Sequence, residues 1–235
     1  GNYDKNHLWV DNKIFMMNGN SNIYAGRVYD AFLDLTGGVN ILYIVFTYST
    51  DYGQSWNSPL INISDGVNAL AQNQGVNIQT GSNGEVYACW AVYDDWYYFW
   101  ETAIGFNKST DGGQTWNISP FPFRIINNIK GIYTPMYACD DPAVCGNTTD
   151  CHIVPILGGG KYMRTNSFPS MTVNEQNGHI FIVWTNRGVP GVNTGDPDIY
   201  MIKSTDGGSS WNSSSPIRVN QDAIGNGKDQ WFPWI

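Results

Sequence analysis

Asp94-Asp95-Trp96-Tyr97-Tyr98-Phe99-Trp100-Glu101 sets a run of consecutive aromatics between carboxylates. Such a run cannot turn every ring inward from a loop or a strand edge, so some rings are exposed. Exposed aromatic clusters mark binding surfaces. Sugars stack their C–H faces on such rings, which makes Trp96, Tyr97, Tyr98 and Trp100 candidate ligand contacts. The competing reading packs the same rings under a neighbouring segment.

The cysteines are the second chemical signal. Cys139, Cys145 and Cys151 are evenly spaced, and Cys89 falls in a strand pattern. In an exported chain they suggest disulfides, with Cys139 joined to Cys145 or Cys151. A Cys₃His zinc site using His152 is the alternative, but the usual Cys-x₂₋₄-Cys spacing is missing. Asp140, Asp141 and Asp150 could join backbone carbonyls around Ca²⁺, without a loop signature for it. The expectation is therefore no cofactor beyond a structural Ca²⁺. His7 and His179 read as strand residues.

These groups must be positioned by something, and a repeat supplies it. Ser49-Thr50-Asp51-Tyr52-Gly53-Gln54-Ser55-Trp56, Ser109-Thr110-Asp111-Gly112-Gly113-Gln114-Thr115-Trp116 and Ser204-Thr205-Asp206-Gly207-Gly208-Ser209-Ser210-Trp211 all fit Ser-x-Asp-x-Gly-x-x-Trp. Each follows an apolar run. An Asp side chain can accept backbone N–H groups ahead of it and close a turn. The Gly takes a positive φ without steric cost. The Trp offers an apolar face suited to the seam between sheets. Repetition in matching contexts signals a repeat architecture.

The pattern resembles the Asp-box, or bacterial neuraminidase repeat, of sialidase-like β-propellers, over nearly the whole chain. The resemblance implies an all-β fold of four-stranded blades, each box lying between the third and fourth strands as a structural motif. Blade one is expected over 1–65, blade two over 66–126, an insertion over 127–165, blade three over 166–220 and the start of a fourth blade over 221–235. Propellers close with roughly 4–8 blades, and open sheet edges are liabilities. The chain therefore reads as part of a longer, six-bladed ring, with closure by a second copy as the rival.

In such a meander the boxes share one face. The strand two-to-three loops and the blade-to-blade connections share the other, which carries the site in the family. For a sialidase the resemblance implies an arginine triad gripping a carboxylate, a Tyr–Glu nucleophile pair and an Asp acid/base. Arg164 and Arg187 are the arginines expected on that face, and Asp94, Asp95, Tyr97 and Glu101 supply the other residue types. The family's early Arg-Ile-Pro has no counterpart before the first box, and Phe123-Arg124-Ile125-Ile126 is the nearest string.

The net charge of −8 on 235 residues argues against nucleic acid, whose phosphates need Lys and Arg. No apolar run reaches the ~20 residues of a membrane span. Asn-x-Ser/Thr occurs at Asn62, Asn107, Asn117, Asn147 and Asn212, acceptors in an exported protein. The loop from Asn186 to Gly195 is similar to stretches of secreted bacterial sialidase-like proteins. Together these lead to an extracellular or cell-surface propeller whose partner is a glycan or a cell-surface protein. An exo-acting glycoside hydrolase and a structural or adhesive module are the alternatives.

Overall fold

The computed structural model describes residues 3–36, 42–67, 72–94, 101–116, 118, 120–131, 154–155, 162–163, 166–193 and 196–235. Among them there is no helix. The first sheet is β1 (Tyr3–Val10), β2 (Val28–Asp34), β3 (Tyr43–Ser49) and β4 (Ile61–Asn62). The second is β5 (Gln72–Thr80), β6 (Val86–Tyr93), β7 (Ala103–Ser109) and β8 (Phe123–Asn127). A small hairpin, β9 (Val154–Pro155) with β10 (Tyr162–Met163), precedes the third sheet of β11 (Ser170–Val173), β12 (Ile180–Arg187), β13 (Pro197–Ser204) and β14 (Ile217–Arg218). The three large sheets are antiparallel meanders with strands in chain order.

The three share one register. Val28 faces Ser49, Val86 faces Ser109 and Ile180 faces Ser204. Side chains alternate across a strand, and β2 shows it: Tyr29, Ala31 and Leu33 are buried, while the residues between them are half-buried. In β6 every residue is buried, because the second sheet is covered on both faces. Its Val86, Ala88, Trp90 and Val92 enter a core shared with the first sheet, where Ile44, Phe46, Ile78 and Trp116 join them. Tyr87 and Cys89, on the other face, meet Met171, Ile182, Trp184 and Tyr200 of the third sheet. Strands sandwiched in this way read as continuous apolar runs.

Each Ser-x-Asp-x-Gly-x-x-Trp stretch is a turn with the same bonds. The Ser hydroxyl donates to Asp Oδ1 at 2.7, 2.8 and 2.8 Å, and accepts from the N–H of Gly53, Gly113 and Gly208 at 2.8, 2.9 and 2.9 Å. Asp Oδ1 also accepts the N–H of Ser55, Thr115 and Ser210 at 2.8, 2.9 and 2.9 Å. The glycines have φ of +87°, +87° and +88°, a region open to Gly and costly for other residues. Hydrogen bonds from Ser55 and then Ser49 hold Asp51 down at about 2. Burial opposes the same effect at Asp206, yet hydrogen bonds led by Ser210 still hold it at about 2.

Asp229–Ile235 has no ladder partner among the described residues, and it bonds the start of β13 through Gln230 N–H to the Pro197 carbonyl at 2.8 Å. Two expectations are corrected. Cys89 is a free thiol, fully buried in β6. Burial also raises its pKa, so it is neither a disulfide partner nor a reactive thiolate. Asn107 is fully buried and its amide donates to the Ile63 carbonyl at 2.7 Å, which closes that sequon in the folded protein.

Candidate functional site

The strand directions put the ends of β6, β8 and β12 and the starts of β7 and β13 at one end of the molecule, away from the three turns. The last residues of β6 lead into the aromatic run. Val92 faces Ala103, so the next residue, Tyr93, comes up beside Glu101. The Tyr93 hydroxyl donates to Glu101 Oε1 at 2.9 Å, and the Ser167 N–H donates to the same oxygen at 2.9 Å. Gly131 closes over the carboxylate. Its N–H donates to the Glu101 carbonyl at 3.0 Å, and a Cβ there would fall 1.6 Å from Oε2. Glu101 is fully buried and Tyr93 nearly so.

Asp94 is gripped by Arg124, which donates Nη2 to Oδ1 at 2.5 Å and Nη1 to Oδ2 at 3.0 Å. The Thr102 hydroxyl adds a third bond to Oδ2 at 2.8 Å. Arg187 ends β12 and is 8% exposed. Its N–H donates to the Lys130 carbonyl at 2.8 Å, while the Lys130 N–H donates to Asn186 Oδ1 at 2.9 Å. Residues 128–131 thus strap the second sheet to the third, and Asn193 adds a bond from its amide to the Asn128 carbonyl at 2.8 Å.

A further ion pair lies beside the strap. Asn186 faces Asp198 across the ladder. Arg218 donates to Asp198 Oδ1 at 2.8 Å and to Asp222 Oδ1 at 3.2 Å. Hydrogen bonds from Asn220 and Asn226 hold Asp222 at about 2.

Of the predicted site residues, the structure brings Asp94, Glu101 and Arg187 to this end. Asp95, Trp96, Tyr97, Tyr98, Trp100 and Arg164 lie outside the described residues, as do Cys139, Cys145, Cys151 and the aspartates considered for Ca²⁺. Tyr93 is not among the residues the sequence singles out, because it is the last residue of a strand and stands just before the aromatic run. Counting the hairpin register back from Ser109 would have placed it opposite residue 102, next to Glu101. Arg124 lies in β8, and its reach to Asp94 depends on the β7–β8 pairing.

Chemically, the described carboxylates here are engaged. Glu101 is enclosed, Asp94 is bound by a bidentate guanidinium, and Asp198 is buried against Arg218. The arrangement fixes loop bases and gives the loops between them a firm footing. No group of three or more His, Cys, Asp or Glu placed to hold a metal occurs among the described residues. No described helix is long and apolar enough to cross a membrane.

No family model matches the chain, and no curated protein matches it. Solved structures do. The chain is similar to the Hadza microbial sialidase Hz136 at 12% identity and a TM-score of 0.50, over 89% of this chain and 36% of that one. It is similar to a Penicillium chrysogenum α-L-arabinanase, solved with arabinobiose, at 13% identity and a TM-score of 0.50, over 92% of this chain and 50% of that one. The chain therefore spans half or less of the length of these structures. At such identities the likeness establishes the fold, an all-β, propeller-type array of four-stranded antiparallel sheets, as found in these glycoside hydrolases.

Proposed function

We propose that the chain is part of an exported, sialidase-like propeller that recognises a glycan through the loop end opposite the three turns. The turns are read as Asp-boxes, with blades at 1–65, 66–126 and 166–220, an insertion at 127–165 and the start of another blade at 221–235. The observation that carries the reading is the convergence at one end of the strap 128–131, the buried Tyr93–Glu101 pair and the strand ends that lead into the aromatic run. Rigid strand ends position loops well, and binding groups concentrate on such loops. The fold likeness to proteins named as a sialidase and an arabinanase supports a carbohydrate ligand over a protein one. The remainder of a longer chain, or a second copy, completes the ring.

Hydrolysis is the second reading, favoured by the Tyr93–Glu101 hydrogen bond. Enclosure of Glu101 by Ser167 and Gly131 weighs for recognition, since an enclosed carboxylate cannot reach a sugar.

The test is a glycan array probed with the intact natural protein, alongside fluorogenic sialoside and arabinofuranoside substrates. Recognition predicts glycan binding lost in the Trp96→Ala/Trp100→Ala double variant, with no sugar released. Binding that survives that variant, or no binding to any glycan, would sink it. Release of sugar abolished by Arg187→Ala would establish the second reading.

A further inference from the structure

The turn end of the molecule holds a cleft that the repeat itself explains. At the seam between the first and second sheets, Tyr24 lies two residues before Gly26 in the β1–β2 loop. Its ring sits on two glycines of the second sheet. A Cβ on Gly84 would meet the ring at 2.5 Å, and one on Gly112 at 2.4 Å. Arg27 covers the ring from 4.7 Å and donates to the Gly112 carbonyl at 2.8 Å. That seam is plugged.

The seam between the second and third sheets has the same frame without the plug. Gly178 and Gly207 take the places of Gly84 and Gly112, with φ of +69° and +65°. Lys108 donates to the Gly207 carbonyl at 3.2 Å, as Arg27 does to Gly112. The residue two before Gly84, where Tyr24 stands before Gly26, is Ser82. Its hydroxyl donates across the seam to the Glu175 carbonyl at 3.0 Å but puts no ring over the glycines. A Cβ on Gly178 would meet nothing within 4 Å, and one on Gly207 would meet only the tips of Lys108 and Tyr87, at 3.1 and 3.5 Å. A cleft of about 240 Å³ remains, lined by Asn83, Glu85, Tyr87, Lys108 and Asn177 among others.

We propose that this cleft is a second binding site, distinct from the loop end, that takes a single neutral pyranose ring. The size follows from the ring that fills the sister site, and the volume lies below that of pockets for drug-sized ligands. The lining holds both acceptors and donors: a carboxylate at Glu85, which accepts the Asn83 N–H at 2.9 Å, amides at Asn83 and Asn177, a phenol at Tyr87 and an ammonium at Lys108. That pattern suits a ring carrying hydroxyls rather than a phenyl group. The lining sets two carboxylates, Glu85 and Asp206, against the one Lys108 ammonium, a balance that disfavours acidic sugars.

Saturation-transfer NMR on the intact natural protein tests it, with methyl β-galactoside and methyl α-mannoside as probes. Transfer to at least one glycoside is expected in the wild type. Ser82→Tyr rebuilds the plug of the first seam and should cut that transfer at least tenfold while the unfolding temperature holds or rises. Should Ser82→Tyr unfold, Asn83→Trp at an exposed lining position gives the same reading. The comparison is made in the Trp96→Ala/Trp100→Ala background, with the cleft otherwise wild type, so that transfer arising at the loop end does not enter it. Transfer undiminished in both cleft variants, or absent for both glycosides in the wild type, overturns the proposal.

Discussion

Trp116 meets Phe46 edge-on across the first seam, with ring centroids 4.8 Å apart, and Trp211 meets Phe106 across the second in the same way at 5.2 Å. Each Phe lies three residues before the turn serine of its own sheet and receives the indole of the next sheet's turn. Each indole N–H also bonds its own turn, Trp116 to the Gly113 carbonyl at 3.1 Å and Trp211 to the Gly208 carbonyl at 3.0 Å. The turns are therefore seam fasteners as well as hairpin closures. Trp56 belongs to the first sheet, has no such ring against it among the described residues, and is 40% exposed.

This asymmetry predicts unequal costs. Phe46→Ala should lower stability by about 3–5 kcal/mol, the range for emptying an aromatic core position. Trp116→Ala should cost a similar amount. Trp56→Ala should cost about 1 kcal/mol or less, as a side chain not fully removed from water. Urea unfolding midpoints on the intact protein decide it, and equal losses for Trp56 and Trp116 would refute the fastener role.

The turn glycines allow a cleaner separation of strain from crowding. A Cβ on Gly208 would lie 2.5 Å from the Phe106 ring, while one on Gly53 has nothing nearer than its own Trp56 at 3.9 Å. Their φ values are +88° and +87°. Gly53→Ala thus carries only the left-handed penalty, about 1–2 kcal/mol. Gly208→Ala carries that plus overpacking, a further ~1–3 kcal/mol. Matching unfolding midpoints for the two variants would show that backbone strain alone sets the cost.

Much of this was legible beforehand, because the signals were local. The turn pattern lies within eight residues of sequence, and the strands before it are apolar runs of ordinary length. The assignment of loops to the end opposite the turns followed from strand count alone. What stayed hidden depends on partners far along the chain. Nothing near Ser82 tells that Tyr24 fills the sister position. Nothing near His7 tells that its Nδ1 accepts the Ile78 N–H of the next sheet at 3.1 Å. A strand also needs a neighbour, and the apolar composition of Asp229–Ile235 does not say which segment that is.

His7 gives a pH prediction. Burial lowers its pKa below the ordinary 6.5, and its Nδ1 accepts the Ile78 N–H. The unfolded chain therefore binds more protons just below pH 6.5, and stability falls as pH drops from there toward the lowered folded value. Asp30, facing Leu8 of β1, acts oppositely. Its burial raises its pKa to about 6, so its protonation relieves the native state as pH falls from about 6 toward 3.8. The wild-type profile mixes the two effects. The difference between wild type and His7→Gln isolates His7, and it should shrink as pH falls from 7.5 to 5. A difference independent of pH would remove His7 from the balance.

Glu101 joins two segments at the loop end. Its burial, with Tyr93 and Ser167 both donating to Oε1, makes it the tie between the β6–β7 hairpin and the segment that enters the third sheet. Glu101→Ala leaves those two donors without that acceptor, at roughly 1–3 kcal/mol each. Glu101→Gln keeps a carbonyl oxygen for both, and should recover most of the loss. Glycan binding at the loop end should then follow stability, reduced in Glu101→Ala and retained in Glu101→Gln. A group acting on the substrate gives the opposite split, with Glu101→Gln fully folded yet inactive toward a fluorogenic glycoside. Unfolding midpoints and array binding on the same two variants separate these outcomes. A wild-type midpoint for Glu101→Ala would refute the tie.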